Sequence, residues 1–106
     1  MKLLFICSRN QWRSPTAEAI YRNVDGVEAR SAGTEPSARI RVSAKMIEWA
    51  DVIYAMEHKH KKRLIENFPA ETATKKIIVL DIPDEYQYMN EELVAMIRES
   101  VGETEP

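Results

Sequence analysis

Cysteine, glycine and histidine are all scarce: one, three and two among 106 residues. A single cysteine excludes an internal disulfide, and one cysteine with two histidines falls short of a structural zinc cage. An excess of either charge is also lacking. Fifteen Lys and Arg against 17 Asp and Glu leave a net charge of −2, which gives no general case for binding nucleic acid or an anionic membrane. No stretch approaches the ~20 apolar residues of a membrane span. The first apolar run, Leu3 to Ile6, is only four residues long, below the roughly seven that a signal-peptide core requires. A cytoplasmic protein is therefore expected. Repeats, low-complexity stretches and long linkers are absent from the sequence. What remains is 44% apolar and 30% charged residues, the make-up of an ordinary globular chain. The length supports one domain, residues 1–106, with a real but modest core.

The periodicities alternate between strand and helix. Leu3-Leu4-Phe5-Ile6 is a continuous apolar run, as in a strand buried on both faces. Ser14-Pro15 then reads as the start of a helix, with serine as the cap and proline at the first position. Ala17, Ile20, Tyr21 and Val24 supply its inward face, and Asp25-Gly26 closes it. A second strand is expected over 27–31 and an irregular segment over 35–42. Ser43 can cap a short helix that turns Met46, Ile47 and Ala50 inward. Residues 51–56 read as the third strand. Residues 57–68 read as a helix with Leu64, Ile65 and Phe68 inward, stopped by Pro69. Residues 76–80 form the most β-like run. A polar segment, 81–89, precedes a helix capped by Asn90, with Leu93, Met96, Ile97 and Val101 inward; residues 102–106 are expected to fray. This alternation predicts an α/β fold: a single-domain three-layer α/β/α sandwich on a four-stranded parallel sheet. Ligands of such sheets bind beyond the carboxyl ends of the strands. Cys7, Thr34, Glu57 and Asp81 all begin loops there.

The stretch Cys7-Ser8-Arg9-Asn10-Gln11-Trp12-Arg13-Ser14-Pro15 carries the chemistry. A cysteine closes a strand, and an arginine follows after five residues at the start of a helix. A loop wrapped tightly between strand and helix turns successive N–H groups inward and makes an anion site. Arg13 adds a planar fork for two phosphate oxygens. The same positive field favours the thiolate of Cys7, the nucleophilic form. The site thus holds a phosphate and aims sulfur at phosphorus, as in phosphoryl transfer through phosphocysteine. Read blandly, Cys7 is an inert buried cysteine at a strand end. The joint presence of Asn10, Arg13, Ser14 and Pro15 on a strand–loop–helix frame speaks against that.

These residues resemble the signature of the low-molecular-weight protein tyrosine phosphatases: Cys, two residues, Asn, two residues, Arg-Ser-Pro. Cys7, Asn10, Arg13, Ser14 and Pro15 match it, and Ala17-Glu18-Ala19 continue the likeness. It resumes at Ser31-Ala32-Gly33-Thr34 and at residues 50–56. The resemblance implies Cys7 as nucleophile, Arg13 as phosphate clamp, Ser14 as hydrogen-bond donor to the thiolate and Asn10 as an internal brace held by Ser31. It implies a loop, Ser8 to Trp12 with Ser14, that binds substrate. It also implies an aspartic general acid after the fourth strand. Asp84-Glu85-Tyr86 fits the family's Asp-Pro-Tyr best, with Glu85 in place of proline, so Asp84 is the expected acid and Asp81 the second choice. Tyr86, with Trp12 and Tyr88, is a candidate wall for an aromatic substrate.

The departures are specific. The segment between Thr34 and Ser43 is shortened. Arg9 stands where glycine is usual, and Trp12 where many members have a second cysteine. The family's supporting histidine has no counterpart between Thr34 and Ser43. The basic run from Glu57 to Arg63 reads as the solvated face of a helix, with a docking patch as the alternative. His58 and His60 are two apart and a poor metal pair. The expected protein is a metal-independent cysteine phosphatase without cofactor, hydrolysing phosphate monoesters, protein phosphotyrosine first, on a phosphorylated protein or a small aryl phosphate, as a monomer or weak oligomer. A phosphocysteine carrier and a non-catalytic phosphate- or phosphotyrosine-binding module are the competing readings. An arsenate reductase would need further cysteines.

Overall fold

The computed structural model of the protein describes residues 1–104. Its elements follow in the order β1 (Lys2–Cys7), α1 (Arg13–Tyr21), β2 (Glu28–Gly33), α2 (Ala44–Trp49), β3 (Val52–Ala55), α3 (His58–Asn67), α4 (Pro69–Thr72), β4 (Lys76–Val79) and α5 (Glu91–Thr104). The four strands are all parallel, in the order β2-β1-β3-β4. β1 is therefore central, and its partners flank it through Cys7↔Gly33 on one side and Ile6↔Ala55 on the other.

The alternation of side chains along β1 sorts the core into two layers. Leu3, Phe5 and Cys7 join Ala17 of α1 and Leu93, Ile97 and Val101 of α5 on one face. Leu4 and Ile6 join Ile47 of α2, Ile53 of β3 and Leu64 of α3 on the other. Phe5 stacks between Tyr21 and Tyr54, with ring centroids 5.7 and 5.3 Å away. This is the expected three-layer α/β/α sandwich. The topology reverses direction at β1, which is where doubly wound sheets open a crevice for ligands. Among the described residues, no helix is long and apolar enough to cross a membrane.

Several local expectations shift. α1 begins at Arg13, with Trp12 rather than Ser14 at its N-cap and no side-chain cap bond there. Ser14 lies inside the helix because its hydroxyl serves the loop instead. α1 ends at Tyr21, so Val24, expected inward, is 45% exposed. Gly26, at φ +80°, turns the chain into β2 as glycine permits. β2 runs two residues further than expected, to Gly33. Ile65 is 44% exposed rather than inward, while Leu64 is fully buried. Pro69 ends α3 and at once starts α4, occupying its first position. Ser43 caps α2 by accepting from the Met46 N–H, and Asn90 caps α5 by accepting from Glu92 and Leu93. α5 is regular through Thr104, where fraying was expected from residue 102; residues 105–106 lie outside the described residues.

Candidate active site

The loop between β1 and α1 is shaped by its carbonyls. Those of Cys7, Ser8 and Arg9 accept backbone N–H bonds from Thr34, Glu35 and Arg39 at 3.0 Å each. The carbonyl of Asn10 accepts from Arg39 Nε at 3.1 Å. All these peptides are trans, so the N–H groups of residues 8–11 point away from that segment. Thus the shortened stretch after Thr34 still holds the loop in a concave, anion-ready shape. The approach is close. A Cβ added to Gly33 would lie 2.5 Å from the Ser8 carbonyl oxygen and 2.6 Å from Ala38 Cβ.

The one left-handed residue of the loop is Asn10, at φ +56°, a conformation asparagine tolerates better than most. Arg9, in the place of a glycine, has no positive φ to bear. Asn10 is fully buried and braces the loop from inside. Its Nδ2 donates to Ser14 Oγ at 2.8 Å and to Ser31 Oγ at 2.9 Å. Ser31 in turn donates to Glu18 Oε1 at 2.6 Å. Ser14 Oγ therefore spends a lone pair on Asn10 and keeps its own hydrogen. Cys7 Sγ lies 2.9 Å away, against 3.4 Å to the Ala32 carbonyl. The shorter contact gives Cys7 a hydroxyl donor suited to a thiolate.

Arg13 is only 2% exposed. Its Nη1 donates to Glu57 Oε1 at 2.5 Å and to the Ile82 carbonyl at 2.8 Å. Its Nε lies 3.7 Å from Asp84 Oδ1. One guanidinium thus ties together the loops that follow β1, β3 and β4. Burial pushes the Glu57 carboxyl upward, but the hydrogen bond and charge of Arg13 outweigh it and leave that group below the ordinary value.

A cleft of about 310 Å³ opens above this loop. The structure brings Cys7, Ser8, Arg9, Gln11, Trp12, Arg13 and Asp84 to it, with Glu35 and Lys59 at the rim. Arg9 pairs with Glu35 at 3.4 Å. Trp12 is 41% exposed. Asn10 and Ser14 stand beneath the loop, not in the cleft. Asp81 is turned to His58, at 3.8 Å, in a separate surface hollow. Tyr86 is not brought to the cleft: it packs against the core layer that holds Leu93 and Ile97. Tyr88 is exposed.

His60 corrects the reading of the basic run as uniformly solvated. It is fully buried. Its Nδ1 accepts from the Glu57 N–H at 3.0 Å, closing a capping box with the Glu57 side chain, and its Nε2 lies 2.8 Å from Ser8 Oγ. Sequence reasoning missed His60, and missed Glu57 as the partner of Arg13. The available signal was a capping pattern at the carboxyl end of β3.

Burial, reinforced by the charge of Arg13, pushes the His60 imidazole from 6.5 down to about 4. The folded state therefore binds this proton less readily than the unfolded state. Its contribution is fully present above pH 6.5 and is lost as pH falls towards about 4. About 3 kcal/mol should disappear across that window. Glu57 adds loss of the same sign, but only below the ordinary carboxylate value of 4.5. Urea unfolding at stepped pH checks this. Wild type should lose stability steadily below pH 6.5, and His60→Gln should flatten that slope; equal slopes in the two proteins would contradict it.

A buried cysteine, a concave loop and an arginine that joins three loops thus meet at the carboxyl end of the parallel sheet. Residues 2–50 match the family described as low molecular weight phosphotyrosine protein phosphatase. The chain is 33% identical over 92 residues to a protein-arginine-phosphatase of Geobacillus stearothermophilus, a match spanning 64% of this chain and 62% of that relative's length. SP-PTP, a low molecular weight protein tyrosine phosphatase from Streptococcus pyogenes, superposes with a TM-score of 0.79 at 20% identity, covering 98% of this chain and 90% of its own. Vibrio vulnificus Wzb in complex with benzylphosphonate gives 0.77 at 21%, covering 97% and 95%. At such identities the superpositions establish the fold. Residues 2–50 carry the likeness to the low molecular weight phosphotyrosine protein phosphatase family, and the superpositions show that fold across the chain.

Proposed function

We propose that the chain is a metal-independent cysteine phosphatase, acting as a single cytoplasmic domain on phosphorylated protein side chains. The observation that carries this reading is the convergence in one cleft of Cys7, the buried Arg13 and Asp84, with Ser14 beneath the loop 2.9 Å from the sulfur. The Cys7 thiolate attacks phosphorus in line while Arg13 and the loop amides hold the equatorial oxygens. The bond from phosphorus to the leaving oxygen breaks, and Asp84 gives that oxygen a proton. Water then attacks phosphocysteine, Asp84 takes its proton, and inorganic phosphate leaves with the thiolate restored. Asp84 suits this role better than Asp81 because it lines the cleft, and its side chain is 58% exposed, within reach of an incoming leaving group.

Phosphotyrosine is the substrate we assign first, with Trp12 available to stack on the ring. Phosphoarginine is a second reading with its own support. Two carboxylates, Glu35 and Asp84, line the cleft and suit a guanidinium, and a curated relative is a protein-arginine-phosphatase. Matched phosphotyrosine and phosphoarginine peptides separate the two readings by their kcat/KM values.

The basic test is hydrolysis of para-nitrophenyl phosphate in EDTA at about pH 6, between the reference values of an acid and a thiolate. Folded, reduced protein should turn over. Silence would point instead to a carrier or a binding module. The acid has a separate test. Asp84→Asn should slow phenyl phosphate by about 10²–10³-fold and the activated nitrophenyl ester much less. Asp81→Asn should change neither, and the reverse pattern would move the role to Asp81.

A further inference from the structure

His60 is a fully buried histidine on a helix whose Lys59, Lys62 and Arg63 are exposed. A capping role accounts for one ring nitrogen only. Nδ1 accepts from the Glu57 N–H at 3.0 Å, a bond that helps start α3 and demands nothing of the far side of the ring. Yet Nε2 reaches Ser8 Oγ at 2.8 Å, across 52 residues of chain and into the candidate catalytic loop. Ser8 follows Cys7 directly and lines the same cleft.

The hydrogens on this path can be assigned one by one. A backbone N–H can only donate, so the Nδ1 it meets must carry a lone pair. A neutral imidazole with a bare Nδ1 carries its hydrogen on Nε2. Nε2 is thus the donor to Ser8 Oγ, and the serine oxygen is the acceptor. The protonated ring would instead aim an Nδ1–H at the Glu57 N–H, in a pocket already facing Arg13, Lys59 and Arg63. The geometry therefore requires one tautomer of the neutral ring.

Ser8 is left with its own hydrogen unspent on His60. A free serine hydroxyl rotates, and it readily turns back to a nearby carbonyl. Anchored through its lone pair, this one has its remaining directions narrowed before substrate arrives. We propose that His60 is a positioning residue that fixes the Ser8 hydroxyl as a neutral hydrogen-bond donor to a phosphoryl oxygen in the cleft. The inference rests on the reading of this cleft as a phosphatase site, and names one more donor there besides Arg13 and the loop amides. It adds a donor without adding charge, beside a nucleophile that must stay anionic. His60 touches no substrate itself; its effect passes through Ser8.

The test is a double-mutant cycle on the full chain with para-nitrophenyl phosphate, together with binding of inorganic phosphate followed by calorimetry. Ser8→Ala and His60→Asn should each lower kcat/KM about 10- to 100-fold, the range of one hydrogen bond to a charged group. They should also weaken phosphate binding. The double variant should lose no more than the larger single loss, because both remove the same donor. His60→Gln places an amide nitrogen near the Nε2 position and should recover most of the activity, although it loses the cap to Glu57. His60→Asn places its amide oxygen near Nδ1, so it should keep the cap and the melting temperature yet lose the activity. A merely structural histidine predicts the opposite order, with activity following melting temperature. Multiplying losses in the double variant, or a Ser8→Ala enzyme equal to wild type, would overturn the proposal. Ser8→Ala leaves His60 in place and decides the matter even if the His60 variants fail to fold. A wild type that binds phosphate but does not hydrolyse the ester would refute the phosphatase reading instead, and phosphate affinity across the same variants would still judge the Ser8 donor.

Discussion

Cys7→Ser should abolish turnover, with a loss of at least about 10⁴-fold in kcat on para-nitrophenyl phosphate, as for removal of a nucleophile that acts in concert with its neighbours. The substitution is nearly isosteric, and the local hydrogen bonds can absorb it. Ser14 Oγ already lies 2.9 Å from the sulfur and can pair with a hydroxyl in its place. The fold should survive with about 1 kcal/mol of change, and circular dichroism together with melting temperature checks that. What the serine lacks is the sulfur. The proposed attack needs sulfur as its nucleophile, and a serine hydroxyl is a far weaker one. Phosphate binding should remain, because Arg13 and the loop amides are untouched. A variant that binds phosphate with wild-type affinity yet does not turn over would separate holding the anion from attacking it. Retention of more than a hundredth of the activity would move the nucleophile elsewhere.

The parts of this site that the sequence displays are those that lie close together in it. β1 is visible as an apolar run because both its faces are covered, and Cys7, Asn10, Arg13 and Ser14 follow within one loop and one helical turn. Their spacing is itself the geometry of the site. Ser31 required the family resemblance, since nothing in the composition of β2 ties it to Asn10. The capping pattern from Glu57 to His60 could be read, but the burial of His60 could not, for a physical reason. Within Glu57 to Arg63 every local preference is for a solvated helix face. What buries the ring is a pair of partners, the Glu57 N–H and the Ser8 hydroxyl, and the second becomes a neighbour only once β1 and β3 pair. Tyr86 errs in the other direction. Alignment placed it at the cleft, but Leu80 and Ile82 draw the chain after β4 into the core, and Tyr86 follows them. Val24 and Ile65 show the limit of periodicity. It predicts which residues share a face, not where a helix ends or how wide its covered stripe is.

Arg13→Lys should lower kcat/KM by about 10³-fold, near the upper range for losing one preorganised donor group, while the chain remains folded. Charge alone is not what Arg13 supplies. Its planar fork reaches Glu57 Oε1 and the Ile82 carbonyl with Nη1, and meets Asp84 with Nε. Those contacts fix the guanidinium plane, which leaves its remaining N–H groups preset for two phosphoryl oxygens. A lysine ammonium can meet Glu57 or a phosphate oxygen, but it cannot hold both edges in one plane. The Ile82 carbonyl would lose its donor, at a stability cost of about 1–3 kcal/mol, read as a shift in the urea midpoint. The larger effect should be catalytic, for a geometric reason. Glu57 comes from the loop after β3, and Ile82 and Asp84 come from the loop after β4, so the arginine sets where Asp84, the proposed acid, stands relative to Cys7, the proposed nucleophile. Losing the fork should therefore lower kcat more than it raises KM, since the acid and the clamp both act as the leaving oxygen departs. A lysine variant within tenfold of wild type would mean that positive charge alone suffices at this position, and that the three-loop junction serves the fold rather than the reaction.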